Sequence, residues 1–152
     1  MRGVVIAGLF AFLVVSGSCD LNLCEESTDV NFKLGFYMID DGKERDSIVY
    51  NLTIYGIGRE DSLLYDQAVA KDLTLPLNPL ADTSRFIISI DSVEDVFSVT
   101  YSRFVRLISH DCGFITEFEI QDIDHTHINI DSVHIIQPKV TNFEELHVKI
   151  YL

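Results

Sequence analysis

The sequence predicts an all-β protein, an antiparallel two-sheet β-sandwich of about seven to nine strands behind a removable export signal. Three observations carry that expectation. Apolar and polar residues alternate along most of the chain after residue 18, which is the period of a strand with one buried face. Asp, Ser, Asn and Gly cluster between the alternating runs, where local hydrogen bonding and tolerance of positive φ turn a chain. No segment beyond the leader keeps a helical period.

The leader comes first. Met1-Arg2 starts positive, Gly3 to Val15 is apolar, and Ser16-Gly17-Ser18 sets small residues directly before Cys19. Charge, apolar run and small residues in that order mark an export signal that is cleaved. A membrane-spanning helix needs about 20 apolar residues for roughly 30 Å of hydrocarbon, and Gly3–Val15 is too short. A cysteine at the cleavage point makes this a lipoprotein signal, with the Cys19 thiol carrying diacylglycerol. Ser16 departs from the Leu or Val more usual at its place. The expected organisation is a signal peptide over 1–18, a lipidated N-terminal tether over 19–28 and one β-sandwich domain over 29–152. Removing 18 of 152 residues leaves 134, enough for a single buried core.

Each element then follows in order. Val30, Phe32, Leu34, Phe36 and Met38 alternate with Asn31, Lys33, Gly35 and Tyr37, a half-buried strand. Asp40-Asp41-Gly42-Lys43 is a turn. Ile48, Tyr50, Leu52 and Ile54 form the next inward set, ended by Gly56 and Gly58. The stretch from Arg59 to Lys71 reads either as a short strand at Leu63–Tyr65 or as a loop with one helical turn. Leu73, Leu75 and Leu77 resume the alternation, and Pro76 confines them to an edge or bulge because it has no N–H to donate. Phe86, Ile88 and Ile90 precede a turn at Asp91-Ser92. Phe97, Val99, Tyr101, Arg103, Val105 and Leu107 make one long strand. Phe114, Thr116, Phe118 and Ile120 make another, with Glu117 and Glu119 outward. Ile128 with Ile130, Val133 with Ile135, and Leu146, Val148, Ile150 and Leu152 complete the set. An Ig-like sandwich buries such strands; a small closed barrel is the other solution.

Composition excludes some partners. The net charge is −13, and −14 once Arg2 leaves with the signal. No Lys/Arg cluster offsets it, so the chain repels phosphate backbones and is not read as a nucleic-acid binder. Acyl chains rather than protein charge would hold it to a membrane, and stable anchoring takes more than one chain.

Three cysteines less the lipid-bearing Cys19 leave Cys24 and Cys112. Exported proteins meet oxidising conditions, so these two are expected to form a disulfide. Closing so long a loop is worth about 4–5 kcal/mol in the chain-entropy account. Cys112 also stands in His110-Asp111-Cys112-Gly113, but catalytic partners of a nucleophilic cysteine are usually distant in sequence.

The densest polar cluster is Asp122, Asp124, His125, His127 and Asp131. On a strand His125 and His127 would share a face, the start of a Zn²⁺ site. No third histidine stands at ligand spacing, so no metal is assigned. Asp122-x-Asp124 lacks the Gly and Glu of an EF-hand. No nucleophile elbow, phosphate loop or dinucleotide fingerprint occurs. Tyr37, Tyr50, Tyr55, Tyr65, Tyr101 and Tyr151 offer rings for a sugar face, although tyrosine is equally favoured in half-buried strands. Asp-Ser-aliphatic recurs at Asp46-Ser47-Ile48, Asp61-Ser62-Leu63, Asp91-Ser92-Val93 and Asp131-Ser132-Val133. It resembles the O-glycosylation signal of exported Bacteroidota proteins, placing sugars on Ser47, Ser62, Ser92 and Ser132; ordinary turn chemistry gives the same pattern.

Several motifs together resemble a family of small Bacteroidota outer-membrane lipoproteins classed as a domain of unknown function. They are Cys19 with Cys24, Leu73-Thr74-Leu75-Pro76-Leu77-Asn78-Pro79, Thr83 ahead of Phe86, Tyr101-Ser102-Arg103, Ile108-Ser109 with Cys112-Gly113-Phe114, and His147-Val148-Lys149-Ile150. The resemblance implies a β-sandwich lipoprotein whose genes neighbour a predicted outer-membrane β-barrel protein, with no established catalytic residues. The expected function is therefore a non-enzymatic, lipid-anchored interaction protein, an accessory subunit of an outer-membrane β-barrel complex in barrel assembly. The alternative is a glycan- or peptide-binding surface lipoprotein. No cofactor and no small-molecule substrate is indicated. Asp20 and Glu25-Glu26 soon after Cys19 resemble surface-export signals, which favours the cell surface over the periplasmic face.

Overall fold

Eleven strands form two sheets over one core in the computed structural model, which describes Cys24 and residues 26–152. The leader over 1–18 and Cys19 lie outside the described residues. In chain order the strands are β1 (Phe32–Asp40), β2 (Lys43–Asp46), β3 (Val49–Gly56), β4 (Leu63–Ala70), β5 (Asp72–Leu75) and β6 (Thr83–Ile90). Then come β7 (Val93–Ser109), β8 (Gly113–His125), β9 (Ser132–Ile135), β10 (Lys139–Val140) and β11 (Val148–Tyr151). One sheet runs β2-β1-β11-β9, with β5 also on β1; the other runs β10-β8-β7-β6-β3-β4. The all-β sandwich expectation holds, with more strands than the sequence pattern separated.

The expected antiparallel pairing fails at one place. β1 and β11 run parallel, with Leu34 opposite Val148 and Phe36 opposite Ile150. The chain reaches β11 from β10, which belongs to the other sheet, and such a crossover permits parallel pairing. His147 starts that pair. Its N–H donates to Lys33 O at 3.0 Å, and its Nδ1 accepts the Lys33 N–H at 3.0 Å. The imidazole is fully buried.

Both expected tight turns are present. Asp41-Gly42 and Asp91-Ser92 carry positive φ at both central residues, 51° and 71°, then 49° and 68°. That geometry matches the twist of the strands a two-residue hairpin joins. Asp91 tolerates it because a short polar side chain can bond nearby groups; here its carboxylate accepts Asn51 Nδ2–H at 3.3 Å.

Four pattern readings need correction. In β3, Val49 is inside with Leu52 and Ile54, whereas Ile48 and Tyr50 are exposed. Asn51 adopts φ 51° where the register shifts, and a bulge moves every residue before it to the other face. The stretch after Arg59 holds a full strand, β4, at the edge of its sheet, broken by a second positive φ at Gln67. Met38 is exposed at the end of β1. Ile128 and Ile130 are not in a strand; they lie in a loop, with Ile130 buried and Ile128 exposed.

That loop is built around Asp95. The residue is fully buried, and its carboxylate accepts the Thr126 hydroxyl at 2.7 Å and the N–H groups of Ile128, Asn129 and Ile130 at 3.0, 2.7 and 3.3 Å. A buried carboxylate is tolerated when its lone pairs are filled in this way. Burial pushes the Asp95 pKa up, but the four donors prevail and hold it below the ordinary value.

Asp95→Asn should destabilise the protein by about 2–4 kcal/mol in urea unfolding at pH 7, since four donors lose a charged acceptor. A loss under about 0.5 kcal/mol would contradict this account. Because the folded pKa is the lower, the Asp95 contribution is full above about pH 4 and is lost as pH falls through the folded value. The gap between variant and native Tm should therefore narrow in acid. His147 titrates in a higher window. Burial holds its pKa below the ordinary 6.5, against an opposing pull from Glu145. The folded state resists the proton that the unfolded state accepts, so stability is full above about pH 6.5 and declines below it. Urea midpoints between pH 8 and pH 5 measure that decline, which His147→Leu should flatten.

Candidate interaction surface

The β7–β8 ladder is far longer than its neighbours. β6 pairs with β7 only from Val93 to Thr100, and β10 meets β8 only at Phe118 and Glu119. From Phe104 to Ser109, past Arg103 where Phe118 still meets β10, the hairpin stands beyond them, a reach of roughly 17 Å at about 3.3 Å per residue. On its inward side Tyr101, Phe118 and Ile120 belong to the core. The same face continues outward through Val105 opposite Thr116 and Leu107 opposite Phe114. It is largely uncovered there: Val105 is 71% exposed and Phe114 70%, with Leu107 half covered at 47% exposed. The alternation expected for both strands is thus real. Its outer half is a core face without the other half of a core.

A recess of about 570 Å³ opens at the base of this bare face, between Val105, Thr116 and the Pro79–Asp82 segment. Arg103 closes one side, donating to Asp82 Oδ1 at 2.8 Å and to Pro79 O at 3.0 Å.

The opposite face of the hairpin is partly dressed, although Phe104 on it is about half exposed. Arg106 donates to Glu117 at 2.8 Å and to Asn142 Oδ1 at 2.9 Å, and Asn142 Nδ2 donates to Ser27 O at 2.9 Å. The N-terminal segment is thereby lashed along that side, and Ile115 beneath it is buried. At the tip Gly113 takes φ 75°, and Cys112 N–H donates to Ser109 Oγ at 3.0 Å. Cys112 is disulfide-bonded to Cys24, 88 residues away, with Cα atoms 4.8 Å apart. The chain preceding Cys24 therefore leaves from the end of the hairpin.

Residues 51–152 match the family model of DUF6452, a family of unknown function. The chain belongs to that family. No curated protein and no solved structure matches it. The DUF6452 span starts inside β3, so it contains the whole hairpin and Cys112, while β1, β2 and Cys24 precede it.

Of the other residues singled out in this DUF6452 chain, His125 and His127 are brought together but gather no further ligand among the described residues. His125 ends β8 and His127 lies in the loop after it. Their rings meet edge to face with centroids 4.3 Å apart, and the Nδ1 atoms face Thr126 O and Asp131 O. Among the described residues no three His, Cys, Asp or Glu side chains are grouped to hold a metal. Ser62 precedes β4, Ser92 sits in the β6–β7 turn and Ser132 opens β9, while Ser47 follows β2. Of the tyrosines, Tyr37 and Tyr101 are buried and Tyr50 is 63% exposed, so the six do not make one platform. Asp95 was missed as a structural centre. Its signal was parity, because it shares the inward register of Phe97 and Val99.

Cys112→Ser should cost up to about 4–5 kcal/mol of stability, the loop-closure term, and leave Cys24 open to alkylation. Mass spectrometry after iodoacetamide and thermal unfolding check both. Two free thiols in oxidised, natively purified protein would remove the bond from the account.

Proposed function

We propose that this protein is a lipid-anchored interaction protein of the outer membrane, an accessory subunit of an outer-membrane β-barrel protein complex that acts in barrel assembly. The bare hairpin face beside the point where the chain leaves the domain carries the reading. Cys19 stands five residues before Cys24, and five extended residues reach at most about 18 Å. With a lipid on Cys19, the hairpin tip is held against the bilayer, and Val105, Leu107 and Phe114 lie alongside whatever shares it. A domain so tethered meets neighbours laterally instead of sampling distant solutes.

Charge favours a protein neighbour over lipid headgroups. With 24 acidic and 11 basic residues in the whole chain, net negative charge sets the protein against anionic headgroups, whereas the bare face itself is apolar. A contiguous exposed apolar face of this kind marks an interaction site. We place the domain on the cell-surface side, following the acidic residues after Cys19. The Asp-Ser-aliphatic serines are proposed glycan sites. Ser92, in the turn at the far end of β7, would carry a sugar without obstructing the hairpin face.

The native lipoprotein, isolated from mild-detergent extracts of its own membranes, should bring down an outer-membrane β-barrel protein identified by mass spectrometry. Val105→Glu with Phe114→Glu should lose that partner at unchanged lipidation and with Tm within about 3 °C of native, since both sites are exposed. Recovery of the protein alone would count against the reading, as would a variant that keeps the partner. Specific binding on a glycan array would favour the glycan-binding alternative, and protease shaving of intact cells decides the face.

A further inference from the structure

Among the described residues, the arginines divide into two groups. Arg45 pairs with Asp40, Arg103 with Asp82 and Arg106 with Glu117. Arg59 and Arg85 pair with no carboxylate, although acidic residues outnumber basic ones 24 to 11. Both line the same cavity of about 610 Å³. It lies between the loop after β3, the start of β4, the Pro76–Pro79 segment and the first half of β6. No Asp or Glu lines it. In so acidic a chain, an acid-free cavity holding the two unpaired arginines is the place where an anion meets least repulsion.

The walls are set before any ligand arrives. Asn78 N–H is held by Ser84 Oγ at 3.0 Å and Tyr101 Oη at 2.9 Å, and Tyr101 Oη donates back to Asn78 O at 3.0 Å. Ser84 Oγ and Tyr101 Oη are 2.7 Å apart. Pro76 and Pro79 fix φ on either side. Across the cavity, Ile57 N–H donates to Arg85 O at 3.0 Å and Arg59 N–H to Gly56 O at 2.9 Å. Glu60, the nearest acid in sequence, turns its carboxylate to Gly58 N–H at 3.1 Å. Ile57 and Leu64 supply an exposed apolar lining, with the largely buried Leu77 and Phe86 behind them. The volume falls within the roughly 300–1,000 Å³ of small-molecule sites.

We propose that this cavity binds an organic anion, a carboxylate or phosphate group on a short apolar body. The guanidinium forks of Arg59 and Arg85 take the charge, for which their planar donors are suited. Ile57 and Leu64, both exposed, take the body. The inference is independent of the lipid anchor and of the hairpin partner. The test is an amide-resolved NMR titration of the disulfide-bonded mature chain with hexanoate, with hexyl phosphate and with uncharged 1-hexanol. Saturable shifts at Ile57, Arg59, Leu64 and Arg85 are expected with at least one anion, and the tighter of the two identifies the headgroup. Arg59→Gln with Arg85→Gln should weaken that binding about tenfold or more with the remaining amide spectrum unchanged. No saturable shift with either anion would overturn the proposal. So would equal binding of 1-hexanol, or a double variant that binds as tightly as the native chain.

Discussion

The β7–β8 ladder is the constraint on which the other parts depend. Its pairing runs from Phe97 opposite His125 to Ser109 opposite Gly113, and it is fastened at both ends by different chemistry. At the base, the buried Asp95 carboxylate gathers the loop that follows β8. At the tip, the bond to Cys24 ties the start of the domain to the strand junction. Without the first, three backbone N–H groups are left beside an apolar core; without the second, the N-terminal segment keeps only hydrogen bonds such as that from Asn142. A two-stranded ribbon is marginal by itself. This one is supported because half of it lies within a six-stranded sheet and its outer half is partly covered on one face.

That asymmetry divides one pair of strands between residues that build the core and residues that do not. Tyr101, Phe118 and Ile120 stabilise the sandwich through burial, whereas Val105, Leu107 and Phe114 lie in the same register with about half or more of their surface open. Covering three such side chains is worth on the order of 5 kcal/mol before association costs. Polar substitutions on the bare face therefore leave the domain's own stability largely intact.

Electrostatics follow a parallel division. Most cations of this acidic chain serve local pairs, as where Glu44 joins Lys149 and Tyr151 across the edge of the five-stranded sheet. Those hydrogen bonds hold the Glu44 carboxyl below its ordinary range and raise Lys149. Arg59 and Arg85 are placed otherwise, facing a cavity lined by neutral groups. Which cations are committed and which are free depends on where the strands bring carboxylates, and no run of sequence displays it.

The sequence by itself determined the strands that keep one buried face, because that burial imposes a period of two that Phe32 to Phe36 and Phe97 to Leu107 display directly. It determined the turns at Asp41-Gly42 and Asp91-Ser92, whose residue types tolerate positive φ, and it identified the two cysteines that bond. Only the tertiary structure decided the rest. The bulge at Asn51 reverses which neighbours of Leu52 face inward, a shift that alternation cannot reveal when both faces carry apolar residues. The parallel pairing of β11 with β1 depends on a crossover between sheets. Val105 and Val99 look alike in the pattern, yet one is bare and the other buried, because periodicity reports which way a side chain points and not whether a second sheet extends far enough to meet it.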